Sequence, residues 1–431
     1  MDILLINQDW FAAEFREAGH RVVTVGLASN MELRLDRPLY HLNQILEQIG
    51  GGFQPDIIIL HDNSAPLTIL DIDEAPCPTI FYAVDTHHHT ELHCFLSTVF
   101  DLTLVAQKDY VSAFEKRGLS APEWMPLWAS SFVEPNLQKH NQAVFVGTLN
   151  ARLNPDRVTF FEKLKSVCPA LHVTSGAWQG IFPESEIVIN QTVKGDLNFR
   201  VFEAMICGAA LLTEDSGNGL RDLFEPDKEL VLYEKNNAEA AAAKIDWLLN
   251  NPKQMRRIAE AGRAAVMTSH LSQHRAQRFL EIINGIKKKE RPLRRMGAML
   301  NLAVLAARLA TLDSLLSVKA LTECMCKIGA TVDHGDTYSE EAAFYAVRVA
   351  LEYDRVTNSD QGMHLLNQLY DQNPDLALFR ATKIRHLLNN GRVNEAREFA
   401  AHISEIPVEE VFKSAEEAVS IVISAIRTEE V

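Results

Sequence analysis

Two successive sets of short, largely apolar segments, spaced by stretches long enough for crossover helices, constrain this chain more than any single residue does. Residues 3–6, 22–25, 57–60, 79–84 and 102–105 form the first set; residues 143–146, 171–174, 187–190, 209–213 and 230–233 form the second. A strand apolar on both faces belongs in a parallel sheet covered by helices, because a half-exposed strand would alternate. Strand and helix in alternation wind such a sheet in both directions. The pattern therefore predicts an α/β chain with two Rossmann-like units, residues 1–135 and 136–286. The stretch 122–135, PEWMPLWASSFVEP, is the crossing between them, since its prolines forbid a continuous helix. Trp124 and Trp128 in it read either as packing between the units or as a platform for a sugar ring.

Composition removes several functions. A formal net charge of −15 over 431 residues argues against unspecific nucleic-acid binding, which rewards a basic surface. The six cysteines, at 77, 94, 168, 207, 324 and 326, form no CxxC pair and no dense framework, as expected in a reducing compartment. The opening MDILLINQDW carries an early acid and no long apolar core, so neither a signal peptide nor a transmembrane segment is expected, and the expected location is cytoplasmic. The turn after the first strand, residues 7–10, lacks the G-x-G-x-x-G that cradles a dinucleotide, which disfavours nicotinamide and flavin cofactors.

The most informative stretch is 198–219, NFRVFEAMICGAALLTEDSGNG. Asn198 is placed to cap a short helix with its side chain, and Gly208 to end it. Val201, Phe202, Met205 and Ile206 share the inward face; Arg200, Glu203 and Cys207 share another. A carboxylate and an arginine thus stand together on a helix feeding a buried parallel strand, where ligands collect. Taken alone, the pair reads equally as a surface ion pair. Gly217 and Gly219 would admit a ligand to the backbone or simply make the turn.

This run resembles the donor-binding segment of GT-B glycosyltransferases, most closely the CgeB-like branch, through Asn198, Arg200, Phe202, Glu203, Ala204, Cys207, Gly208, Ala209 and Thr213. The resemblance extends over residues 143–283. It implies a GT-B fold, two Rossmann-like domains facing a cleft, with an acceptor domain first and a nucleotide-sugar donor domain second. It further implies that Glu203 holds the ribose hydroxyls, that Asn190 lies near the donor, and that no metal or other cofactor is needed. Gly147, ending the first strand of the second set, and Arg157, near the start of the next helix, make a pocket suited to a diphosphate, and the family's FVG-then-arginine pattern strengthens that reading. Arg152 is farther from the helix. The wider retaining group has two glutamates separated by seven residues, whereas here Gly195 stands eight positions before Glu203, so a retaining mechanism does not carry over. His270 and Arg275 match the family's H-x4-R spacing and equally suit a helix cap and a surface charge.

Residues 85–93, DTHHHTELH, directly follow a first-set strand. His89 and His93 at i, i+4 suit a metal; the histidines suit a packed helix start; or Asp85 and His87, just past the strand end, act as the catalytic base for an acceptor hydroxyl, with His88 turned aside. Residues 287–295, KKKERPLRR, read as a solvated basic linker or a contact for anionic lipid. Beyond it, residues 287–431 form an all-α helical-repeat domain, and helix pairs over 339–404 resemble tetratricopeptide repeats, which implies protein docking or self-association. Two functions follow: a glycosyltransferase moving sugar from a nucleotide-sugar to a glycan or protein acceptor, or a degenerate GT-B scaffold that binds sugar or nucleotide and works through its helical domain. An epimerase of the same fold is a third.

Overall fold

The structure is a computed structural model that describes residues 1–428 apart from 63, 65–68, 130–132, 137, 153 and 404–405; parts of the 122–135 crossing and of the 339–404 segment thus lie outside the described residues. The first unit is a parallel sheet of β1 (Asp2–Ile6), β2 (Arg21–Gly26), β3 (Leu33–Arg34), β4 (Ile57–His61), β5 (Thr79–Ala83), β6 (Leu102–Val105) and β7 (Glu123–Trp124), in the order β3-β2-β1-β4-β5-β6-β7. The second is a parallel sheet of β8 (Asn141–Val146), β9 (Leu171–Thr174), β10 (Ser185–Asn190), β11 (Ala210–Glu214) and β12 (Val231–Tyr233), in the order β9-β8-β10-β11-β12. Each order reverses once, between β1 and β4 and between β8 and β10. Crevices for ligands therefore open beyond the carboxyl ends of those strands.

The predicted strands are present, and two short edge strands join them. β3 and β7 have two residues each, too few to show a period. β7 takes Glu123 and Trp124 out of the predicted crossing and into the first sheet.

One apolar core runs through both units. Trp128 is buried, its ring 4.4 Å from Phe11, 5.4 Å from Trp10 and 5.1 Å from Phe199 of the second unit. Trp124 donates from Nε1 to the Ala106 carbonyl at 3.2 Å and lies against Gly219. Both tryptophans are thus packing between the units. The helix Ser272–Ile283 returns to the first unit, placing Phe279 5.3 Å from Phe11 and 5.7 Å from Tyr82. Arg275 on that helix is buried, not a surface charge: it donates to the carbonyls of Pro126 (2.8 Å), Leu127 (3.0 Å) and Ser269 (3.1 Å) and reaches His270 Nδ1 at 2.9 Å. The carbonyls of a proline-interrupted crossing need such a donor.

From Arg291 the described residues are helical, beginning with Arg291–Ala310, Ser314–His334 and Glu340–Thr357. The first of these lies along the His-rich helix Thr86–Val99, and Leu39, Leu70 and Phe95 of the first unit share its core. The 287–295 segment is accordingly no solvated linker. Lys288 Nζ donates to Pro76 O (2.8 Å), Lys289 Nζ to Ser97 O, and Arg294 to Val99 O (2.9 Å) and Ile72 O (2.8 Å), while buried Arg295 meets Asp336 at 2.7 Å. Two of these cations, Lys289 and Arg294, take the Ser97 and Val99 carbonyls at the end of the His-rich helix, which carry the negative end of its dipole. Among the described residues no helix is long and apolar enough to cross a membrane.

Candidate functional site

The second unit's crevice is built around the ring of Phe145, one residue before the end of β8. Arg200, on the helix Phe199–Ile206, lies 4.7 Å above it and Arg157, on the helix Pro155–Val167, 5.7 Å from it. Arg200 donates to the Val146 carbonyl from Nε (3.2 Å) and Nη2 (2.8 Å) and to Asn190 Oδ1 from Nη1 (2.8 Å). Arg157 donates to Gln191 Oε1 (2.8 Å) and Gln191 O (2.9 Å). Burial first, then the charge of Arg157, pushes the Arg200 guanidinium down to about 10. Gly147 is where it is because no side chain fits: a Cβ would stand 2.7 Å from Phe145 Cζ and 2.9 Å from Arg200 Nη2. Asn190 is buried, donating to Thr213 Oγ1 (3.0 Å) and accepting from the Tyr233 hydroxyl (2.8 Å) on its carbonyl. The structure therefore brings Gly147, Arg157, Asn190 and Arg200 to one place.

The helix that carries Arg200 follows its pattern inward, with Val201, Phe202, Met205 and Ile206 buried. Gly208 ends it at φ 67, and the bonds Gly208 N to Met205 O and Ala209 N to Ala204 O make a Schellman close. Its start differs from expectation. Asn198 occupies the cap position, but its side chain makes no capping bond. It serves the buried Asp196 instead, leaving its Oδ1 without a partner among the described residues. Glu203 is half-buried in the second turn, near enough to support the charge on Arg200.

Of these residues Arg157 lines a cavity of about 470 Å³, together with Gln191, Thr192, Lys194, Lys235 and, from the first unit, His88, whereas Gly147, Asn190, Asn198, Arg200 and Glu203 stand outside its lining. Buried Glu214, at the end of β11, fixes two of its walls by accepting from Thr192 N (2.9 Å), Thr192 Oγ1 (2.5 Å) and Asn236 N (2.9 Å). Sequence reasoning missed Glu214 and Lys235. An acid closing a buried strand was the signal for the first; a lysine in a loop carries none. The units meet around this cavity by paired bonds, Gln107 with the Leu197 backbone (2.8 and 3.3 Å) and Asp109 with Asn218 (2.8 and 3.2 Å). Gly217 and Gly219 admit Asp109 and Trp124 of the first unit, since a Cβ would fall 2.0 and 2.2 Å from them.

Across the cleft, the helix Thr86–Val99 breaks its own geometry at His89 (φ −130°, ψ 34°). The facing of the residues before the kink also differs from expectation. His88 lines the cavity, whereas His87 is buried behind it, the two rings 4.2 Å apart, with Lys194 Nζ 3.5 Å from the His87 carbonyl. Burial, then His88, pushes His87 down to about 4, and its Nδ1 has no partner among the described residues. Asp85 accepts from the Ser64 hydroxyl. Burial opposes the charge on Asp62, yet His93 at 3.4 Å and the amides of Asp85 and Ser64 bring its carboxyl down to about 2. His89 and His93 still bring their ring centroids to 5.9 Å, but His93 is turned to Thr86 Oγ1 (3.1 Å) and Asp62 (3.4 Å), and no group of three or more His, Cys, Asp or Glu fit to hold a metal occurs among the described residues.

Two doubly wound sheets facing a cleft, with a helical region appended, constitute a GT-B fold. Residues 146–281 match the family model described as glycosyl transferase-like. The structure is similar to Anabaena Alr3699/HepE in complex with UDP and glucose (TM-score 0.51, 13% identity, 66% of this chain and 100% of that one). It is similar also to sucrose-phosphate synthase from Thermosynechococcus elongatus (TM-score 0.50, 12% identity, 66% of this chain and 98% of that one). No curated protein matches the sequence.

Proposed function

We propose that this protein is a nucleotide-sugar-dependent glycosyltransferase of the CgeB-like branch, passing a sugar to a glycan or protein acceptor. The observation that carries the reading is the cavity between the units, supplied with Arg157, Lys194 and Lys235 within a segment that is glycosyltransferase-like. Three cations in one crevice at a strand switch point suit a diphosphate. In this reading Gly147, Arg157, Asn190, Asn198, Arg200 and Glu203 form the donor site, with Arg200 and Asn190 shaping it from behind and Glu203 on the ribose. The base for the acceptor hydroxyl comes from the start of the His-rich helix. Asp85 and His87 were the expected pair; His88, which lines the cavity, is the member that reaches a ligand, and Asp85 and His87 hold it from behind. No metal or other cofactor takes part. The helical region is tetratricopeptide-like and docks a protein or a second copy, and the protein works in the cytoplasm.

The test is a thermal-shift screen over nucleoside diphosphates, with UDP first because HepE holds it. A ligand at a hundred times its Kd adds about 2.7 kcal/mol to stability. With the donor found, His88→Ala lowers turnover by roughly a hundredfold, Asp85→Asn and His87→Ala lower it less, and chelator leaves it unchanged. The reading fails if no nucleoside diphosphate shifts the midpoint at millimolar concentration. A second reading, a scaffold that binds without catalysis, draws on the inward use of both arginines, whose hydrogen bonds go to Gln191, Val146 and Asn190. Binding with no sugar transfer or hydrolysis would favour it.

A further inference from the structure

We infer that the helical region sets the position of the cavity-lining end of the His-rich helix, and that Tyr345 is a positioning residue acting through Glu91. The inference rests on the function proposed above for its meaning, but on contacts alone for its geometry.

The helix Thr86–Val99 is two pieces joined at His89, where the backbone leaves helical angles. The short piece carries His87 and His88 to the cavity; the long piece runs away from it. Among the described residues, the side-chain hydrogen bonds and ring contacts from the helical region to this helix fall on the long piece. At its far end Lys289 Nζ takes the Ser97 carbonyl and Arg294 Nε takes the Val99 carbonyl at 2.9 Å. Next to these, Gly297 comes so close that a Cβ would lie 2.0 Å from Thr98 Oγ1 and 3.0 Å from Val99 N. Further up, the Tyr345 ring stands edge-on to Phe95 with centroids 5.4 Å apart, and its hydroxyl donates to Glu91 Oε1 at 2.8 Å. Glu91 is two residues past the kink, the member of this set nearest the short piece.

A regular helix transmits displacement along its length, so whatever holds Glu91, Phe95, Ser97 and Val99 also sets where the kink lies. A domain that served only to recruit a partner would need one tether. This one spends buried cations and a glycine contact on a single helix of the first unit. A misplacement of about 1 Å at a reacting group costs up to roughly a hundredfold in rate, so a brace of this kind acts on turnover and leaves donor binding, made by the other unit, alone.

The decisive variant is Tyr345→Phe in the full-length protein, because it keeps the ring on Phe95 and removes only the hydroxyl. Hydrolysis or transfer of the nucleotide-sugar should fall about three- to tenfold with the nucleoside diphosphate Kd unchanged. Amide exchange over residues 86–93 should quicken while that of β8 and β10 stays as in the parent. Glu91→Ala should reproduce this, the double variant Glu91→Ala/Tyr345→Phe should be no worse than either single one, and Glu91→Gln, which keeps an oxygen for the hydroxyl, should behave as the parent. Gly297→Ala, at the far end, should give the same split between turnover and binding. Parent-like exchange and turnover in Tyr345→Phe overturn the inference, as does a Glu91→Gln variant as impaired as Glu91→Ala, or a loss that tracks donor affinity. If the parent turns over no nucleotide-sugar, the functional reading falls, and the exchange measurements still decide whether the brace exists.

Discussion

Gly147→Ala isolates a single steric relation in the donor crevice. Gly147 does not need a left-handed backbone, so alanine adds no dihedral strain; it adds one methyl group, 2.7 Å from Phe145 Cζ and 2.9 Å from Arg200 Nη2. Neither neighbour gives way easily. Phe145 is fully buried with its ring centroid 4.0 Å from that of Phe161, and Arg200 is held by Val146 O and Asn190 Oδ1 at 2.8 Å each. Overpacking of this kind costs about 1 to 3 kcal/mol, and a unit of this size loses roughly 2 to 4 °C of Tm per kcal/mol. The expected result in scanning calorimetry is a fall of about 4 to 8 °C for a cost near 2 kcal/mol. Nucleoside diphosphate affinity should fall about tenfold, because the displaced guanidinium no longer shapes the crevice. Gly180→Ala is the control: its Cβ meets nothing within 4 Å, so its Tm should not move. A Gly147→Ala protein as stable as the control would refute the claim that ring and guanidinium fix this glycine.

Glu203→Gln should weaken nucleoside diphosphate binding about tenfold with little change in Tm; unchanged affinity in titration calorimetry removes Glu203 from the site. Acid should destabilise the protein early: burial is the first cause holding His61, His87 and His270 down to about 4, so between pH 6.5 and 4 the unfolded chain binds the extra protons. Stability should then fall by about 1.4 kcal/mol per pH unit for each and stay level above pH 7, and a Tm constant from pH 7 to 5 would refute it. Both Rossmann-like units are complete in the sequence before residue 287, which suggests that truncation after Ile286 leaves a folded, nucleotide-binding core, but the structure predicts aggregation or a lowered Tm, since Phe95 is uncovered and the carbonyls of Ile72, Ser97 and Val99 lose their donors. Arg294→Ala in the full-length chain should cost about 1 to 3 kcal/mol for each buried carbonyl left without its donor, and a soluble truncated protein with the parent's melting profile would count against both.

The architecture was legible because parallel strands buried on both faces leave uninterrupted apolar runs, and both switch points follow from their order. The second unit's crevice was half legible. Gly147, Arg157, Asn190 and Arg200 could be placed at strand and helix ends, but spacing says nothing about where a guanidinium sends its hydrogen bonds, and both arginines turn inward. Asn198 failed as a cap because Asp196, two residues away, competes for its side chain. The histidine cluster misled because a place just past a strand end does not say which of two adjacent side chains faces out: His88 lines the cavity and His87 is buried behind it. The segment 287–295 was misread for a related reason, since a run of cations looks alike whether it meets water or buried carbonyls.

The docking of that segment also fixes an order of events during synthesis. Arg294 stands 195 residues after the Val99 carbonyl that it binds, and Lys327 254 residues after Asp73. Ribosomes add about 5 to 20 residues per second, so the first sheet can be wound while the back of its His-rich helix stays uncovered for roughly 10 to 40 seconds. Over that interval the nascent chain shows Leu39, Leu70 and Phe95 to its surroundings, in the company of carbonyls still waiting for their cations. A chaperone that recognises apolar surface on emerging chains thus has a defined target here, and release from it coincides with the arrival of the Arg291–Ala310 helix.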